Sequence, residues 1–188
     1  MVGTDWSVER KLLGVKGASI EPGLTHAELS AAEAAHGFQF PNDLRSLLAA
    51  FLPRGGGFPD WRDPESADLH RQMDGPFAGI QFDIEHCNFW WPSWGSKPAQ
   101  LSEAFAIARD QLKKAPRLIP ISGHRYMPSS PQEPGNPVYS VVQTDIIYYG
   151  SDLRSYLHCE FGRAEWEEAV SGEVRHIEFW TDLIDSDL

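Results

Sequence analysis

Sulfur and positive charge are both scarce in this sequence. Its 188 residues hold two cysteines, Cys87 and Cys159, far apart and outside any CxxC pair. That spacing excludes a disulfide framework or a cysteine-rich metal ribbon and leaves buried free thiols as the expectation. Lys and Arg number 16 against 27 Asp and Glu, a formal charge of −11. Such a chain is ill suited to neutralising nucleic-acid phosphates, which takes clustered cations. A basic protein is the partner its field would attract, although acidity also serves solubility. No segment approaches the roughly 20 apolar residues that span a bilayer, so no membrane role is expected. The opening MVGTDWSVERKLL lacks a signal-peptide run, and the expected location is the cytoplasm. Also missing are an HExxH pair, a Gly-x-Ser-x-Gly elbow and a phosphate-loop signature, so neither metal nor cofactor is expected.

What is present reads as one globular domain over residues 1–188, with 41% hydrophobic and 23% charged residues. Residues 1–23 are expected as a helical N-terminal extension. Thr25 followed by Glu28 is a capping box opening a helix to His36, with Gly37 as its stop. Pro41 starts another, whose apolar face is Leu44, Leu47, Leu48, Phe51 and Leu52. Gly55-Gly56-Gly57 is a turn. A helix from Asp63 to Asp74 ends at Gly75-Pro76, and Phe77 to Glu85 reads equally as a half-buried strand or a restarted helix. Leu101 to Lys114 is helical, with Leu101, Phe105, Ala108 and Leu112 inward. Ser151 or Asp152 caps a helix from Leu153 to Phe161. Residues 163–188 form an acidic segment docked through Trp166, Ile177, Phe179 and Trp180; from Glu160 onward nine acids face two arginines.

The centre of the chain is Pro116 to Gly150. Arg117–Ile121, Val138–Gln143 and Ile146–Tyr149 are expected strands. Between the first two lies Ser122 to Pro137, a proline-rich loop of sixteen residues carrying His124, Arg125 and Tyr126. Two readings of that triplet compete. Arg125 and Tyr126 are either interface anchors or an internal ion pair and a packed ring, with His124 bonded to a backbone carbonyl. An enzyme reading pairs His124 and Arg125 with an acid from Asp83 or Glu85, near His86 and Cys87, as in a small hydrolase or transferase. A ligand-binding reading rests on the aromatic run Trp90, Trp91 and Trp94. The plainer account makes that run a core plug.

Leu24 to Phe51, LTHAELSAAEAAHGFQFPNDLRSLLAAF, resembles the opening signature of the SUKH superfamily of fungal cell-wall-synthesis regulators and bacterial toxin-immunity proteins. Glu33, Gly37, Pro41, Asp43, Leu44 and Leu47 occur in that family's order, and the Gly55–Gly57 turn with Trp61 is similar to the family's next segment. Pro137-Val138-Tyr139 and the helix Ser151–Leu157 resemble its late strand and closing helix. Phe40 stands where leucine is more usual, and the His124-Arg125-Tyr126 and Trp-rich segments depart from it. The resemblance implies an α+β fold, helices packed around one mostly antiparallel central sheet. It also implies a non-enzymatic protein-interaction module, of which an immunity protein covering a basic toxin domain is one form. The partner-facing residues expected on this reading are His124, Arg125, Tyr126, Trp61, Trp90, Trp91 and Trp94.

Overall fold

Thr25 closes the start of its helix from both sides, as the sequence predicts. In the computed structural model, which describes residues 4–186, Glu28 N–H donates to Thr25 Oγ1 at 3.2 Å and Thr25 N–H donates back to Glu28 Oε2 at 2.7 Å. The resulting helix α2 (His26–His36) ends at Gly37 with φ of 68°, a left-handed turn that glycine adopts without a Cβ penalty. Before it come α1 (Ser7–Val15) and strand β1 (Ser19–Pro22), so the expected helical extension is part helix and part strand. Its Leu13 is wholly buried, and α1 is tied to the far end of the chain by Glu9. The Glu9 carboxylate accepts from Arg154 at 2.6 Å and lies 3.0 Å from His158 Nε2.

Helix α3 (Asn42–Ala50) is shorter than its apolar periodicity suggests. Phe51 and Leu52 leave it for strand β2 (Phe51–Arg54), which pairs antiparallel with β1. Gly23 joins β1 to α2 where backbones almost touch: a Cβ there would sit 2.0 Å from the Ala49 carbonyl oxygen. Glu33 of α2 accepts from the Phe40 amide at 3.1 Å and from Arg45 of α3 at 3.3 Å, which sets the angle between the two helices.

The largest departure from expectation is α4 (Ala67–His86), one continuous helix through Gly75-Pro76. A mid-helix proline leaves the carbonyl four residues earlier without its donor. Here that carbonyl belongs to Gln72, and the Tyr126 hydroxyl donates to it at 2.9 Å. Gly75 makes the approach possible, since a Cβ there would lie 2.7 Å from the same hydroxyl. The helix also decides between the two readings of Phe77 to Glu85 in favour of helix.

A 3-10 turn (Pro92–Trp94) and α5 (Leu101–Leu112) lead to the four-stranded antiparallel sheet β3 (Leu118–Ser122), β4 (Arg125–Pro128), β5 (Val138–Val142) and β6 (Asp145–Gly150), in that spatial order. Residues 122–137 are therefore not one long loop. His124 lies in a tight β3–β4 turn, and Arg125 begins a strand that Pro128 at its end and the prolines after it disguise. Beyond the sheet come α6 (Leu153–Glu160), α7 (Trp166–Ala169) and α8 (Trp180–Ile184).

Alternating residues of the sheet enter two cores. Ile119, Met127 and Val138 pack with Leu13, Leu47 and Tyr156 of α1, α3 and α6. Leu118, Tyr139 and Ile146 pack with Ile80 and Ile84 of α4, Ala104 and Ala108 of α5, and Trp180 of α8. Leu101, expected inward, is exposed, because α5 presents its small Ala104–Ala108 stripe to α4 instead. The protein is a single α+β domain with helices on both faces of its main sheet. Among the described residues no helix is long and apolar enough to cross a membrane.

His36, at the end of α2, reports on this packing. Its Nε2 lies 2.9 Å from the Pro64 carbonyl, and burial holds its pKa below the ordinary value despite that bond. The folded protein thus takes up this proton less readily than the unfolded chain. The stability involved is complete above about pH 6.5 and is lost as pH falls through the depressed folded value. We expect the melting temperature to drop from neutral to mildly acidic pH, with a shallower drop for His36→Gln, whose amide keeps a donor for Pro64. Parallel wild-type and variant profiles would remove His36 as the cause.

Candidate functional site

The triplet singled out by the sequence splits across the sheet. Arg125, as the first residue of β4, projects toward α6, where its Nε donates to Glu160 Oε2 at 3.2 Å and its Nη1 to Ser140 Oγ at 2.7 Å. The guanidinium carbon stands 3.6 Å from the centre of the Tyr149 ring, and His124 Nε2 also faces Nη1. With an 11% exposed side chain, Arg125 is an internal cation. Tyr126 projects to the opposite face, onto α4, and is 6% exposed. Both residues follow the internal reading, an ion pair and a packed ring, and neither is the partner-facing anchor of the other reading. Strand alternation sends them to different cores, and each is held by bonds inside the fold.

His124 is the exposed member. Partial burial, and then the Arg125 charge, hold its pKa below the ordinary value, which suits a neutral ring accepting from the guanidinium. Of the acids proposed to work with it, Asp83 is engaged elsewhere and Glu85 is exposed. Asp83 is buried in α4, where its Oδ2 accepts from the Thr144 amide at 2.8 Å and the Thr144 hydroxyl at 2.6 Å, fixing the β5–β6 turn. Gly79, one turn earlier, lets that turn approach, since a Cβ there would lie 2.7 Å from Gln143 Cα. Glu85 and His86 are exposed at the end of α4, 3.8 Å from each other. Cys87 follows them and is exposed rather than buried, because the helix ends there. Its thiol is pushed up by the bond to Asp83, and burial pushes Cys159 up, which makes both weak nucleophiles at neutral pH. Among the described residues no group of three His, Cys, Asp or Glu side chains could hold a metal ion.

The tryptophans pack on aromatic neighbours. Trp61 is 2% exposed, edge-on to Phe40 at 4.9 Å and Phe38 at 6.0 Å, so it supports the α2–α3 corner and presents nothing outward. Trp94 is buried and stacks on Phe179 at 6.0 Å, while Trp90 and Trp91 stand edge-on to Trp94 and Phe179. The run Trp90 to Trp94 thus anchors the C-terminal segment. Trp90 donates to the Gly95 carbonyl at 2.7 Å, and Trp90 and Trp91 are half-buried.

Two surfaces escaped the reading of the sequence. The first is on α7, where Trp166, expected among the docking residues, is 42% exposed; its neighbours in sequence Glu165, Glu167 and Glu168 are exposed too. Its indole N–H donates to the Tyr148 carbonyl at 3.1 Å, one residue from Ile147, itself 44% exposed. The sequence signal was the alternation EWEE, an aromatic among acids. The second is a groove of about 730 Å³ where the end of α5 and the start of β3 meet the middle of α4. Its cations are Arg109, Lys113, Lys114 and Arg117. RDQLKKAPR, four cations within nine residues of an acidic chain, was its legible signature. Comparison of the chain with family models, with curated proteins and with solved structures gave no significant match to any of them.

Proposed function

We propose that this protein is a non-enzymatic interaction module that binds a basic protein through the α7 surface. The observation that carries the reading is Trp166, an exposed indole whose sequence neighbours Glu165, Glu167 and Glu168 are also exposed, bonded to the Tyr148 carbonyl next to the exposed Ile147. Tryptophan is among the side chains most enriched at interface hot spots, and nearby carboxylates steer and orient a cationic partner. The overall charge of −11 acts in the same direction. Two residues of the enzyme reading are used by the fold, Arg125 by Glu160 and Ser140 and Asp83 by Thr144, which favours the binding reading. The resemblance to SUKH proteins makes a cytoplasmic bacterial immunity protein, covering a basic toxin domain, the specific form of this reading.

The test is binding of purified basic toxin domains to wild-type protein and to Trp166→Ala and Glu167→Lys/Glu168→Lys variants by biolayer interferometry. We expect one domain to bind in a stoichiometric complex. Trp166→Ala should weaken it by about tenfold or more through faster dissociation. The charge reversal should slow association and flatten its salt dependence. Binding that ignores both variants would displace the surface from α7, and a panel without any binder would end the reading.

A further inference from the structure

An acidic protein that gathers four cations around one concavity sets up a local field opposed to that of the rest of its surface. In the groove, Arg109, Lys113, Lys114 and Arg117 face only two carboxylates, Asp74 and Glu178. Lys113 is paired with Asp110 at 2.8 Å, whereas Arg109, Lys114 and Arg117 have no carboxylate partner among the described residues. Cations at the end of α5 offset that helix's dipole, which accounts for Lys113 and Lys114. It does not account for Arg117, which enters from the start of β3, on the other side of Pro116.

The two arginines are held in place. Arg109 lies over the Phe77 ring, 4.2 Å from its centre, and Arg117 is fixed by a 2.6 Å bond from Nη1 to the His36 carbonyl, which leaves its other N–H groups available. Between and beside them are apolar faces. Phe38 is half-buried, Phe77 is half-buried with Arg109 over its ring, and Trp180 closes the floor, buried and bonded through its indole N–H to the Pro116 carbonyl at 2.7 Å. Ser129 and Ser130 add hydroxyls to the lining. Planar guanidiniums with fixed orientation suit a tetrahedral oxyanion, the aromatic wall at Phe38 suits a flat ring, and the volume is that of an ordinary small-molecule site.

We propose that this groove binds a small organic anion in which a phosphate headgroup is joined to a flat ring, the chemistry of a nucleoside monophosphate. Arg109, Lys114 and Arg117 take the headgroup, and Phe38 takes the ring. The site shares no residue with the α7 surface, so it stands or falls independently of the protein-binding reading.

Isothermal titration at low ionic strength with AMP, adenosine and inorganic phosphate tests it. The wild-type protein is expected to bind one equivalent of AMP, with adenosine and inorganic phosphate each about tenfold weaker or more, because each supplies half of the recognition. Arg109→Gln/Arg117→Gln should weaken AMP by at least about tenfold, and Lys114→Gln by a smaller factor. Lys114→Gln is the informative variant if the double substitution unfolds. Arg10→Gln/Lys11→Gln, on the exposed face of α1, should leave binding unchanged. Absence of AMP binding at millimolar ligand, AMP binding no tighter than phosphate, or variants that bind AMP like the wild type would each overturn the proposal.

Discussion

Arg125→Ala is expected to lower the stability of the protein by about 3 kcal/mol in urea or guanidinium unfolding. Removing the guanidinium strands several groups that were arranged around it. Glu160 loses its cation, Ser140 its charge-assisted bond, and the Tyr149 ring the cation lying 3.6 Å over its centre. Glu160 is 32% exposed, so its carboxylate recovers water, and that limits the loss to less than a fully buried pair would show. Arg125→Lys should recover only part of the difference, because an ammonium cannot stack on Tyr149 while reaching Ser140 and Glu160 together. A double-mutant cycle with Glu160→Gln should return a coupling of about 1 kcal/mol, the remainder belonging to Ser140 and Tyr149. A loss below about 1 kcal/mol for Arg125→Ala would show that this cation is a surface group.

Tyr126→Phe is expected to cost about 2 kcal/mol, more than a typical hydroxyl deletion, because its acceptor has no substitute. The Gln72 carbonyl would be paired within α4 if residue 76 carried an N–H; Pro76 does not, and the Tyr126 hydroxyl fills the place at 2.9 Å. The decisive measurement adds Pro76→Ala. Once that substitution supplies an amide to Gln72, the cost of Tyr126→Phe should fall below about 1 kcal/mol, a non-additivity readable from urea curves. Equal costs in the two backgrounds would mean that water already serves the carbonyl. Gly75→Ala places a methyl 2.7 Å from the same hydroxyl and should break the same bond by displacement.

Those two residues also mark how far the sequence could be read. The capping box of α2 was legible because both of its partners lie within four positions, and the glycine stop at Gly37 was legible for the same reason. The continuity of α4 was not, since the donor that rescues Gln72 lies 54 residues away. Phe51 and Leu52 continue the helical period of α3 but are drawn into β2 by pairing with β1, a tertiary preference that periodicity does not carry. Strand β4 is short and ends at Pro128, so the sequence leaves Arg125 and Tyr126 on a loop, facing either a partner or the interior; pairing with β3 and β5 turns them inward. The acidic and basic surfaces had local signatures, EWEE and RDQLKKAPR. Whether such charges converge on one patch is decided by where helices end in space.

The indole of Trp166 has a second consequence, for solubility. β6 is the last strand of its sheet, and a last strand carries a row of backbone groups able to pair with another chain. Trp166 occupies the Tyr148 carbonyl, and the Ala169 carbonyl takes up the Ser151 amide at 2.7 Å. Stripped of α7, the strand would offer those groups next to the exposed side chains of Val142 and Ile147, a template on which further copies could add and grow into fibrils. A four-residue helix carrying two carboxylates thus covers one of the two open borders of the sheet.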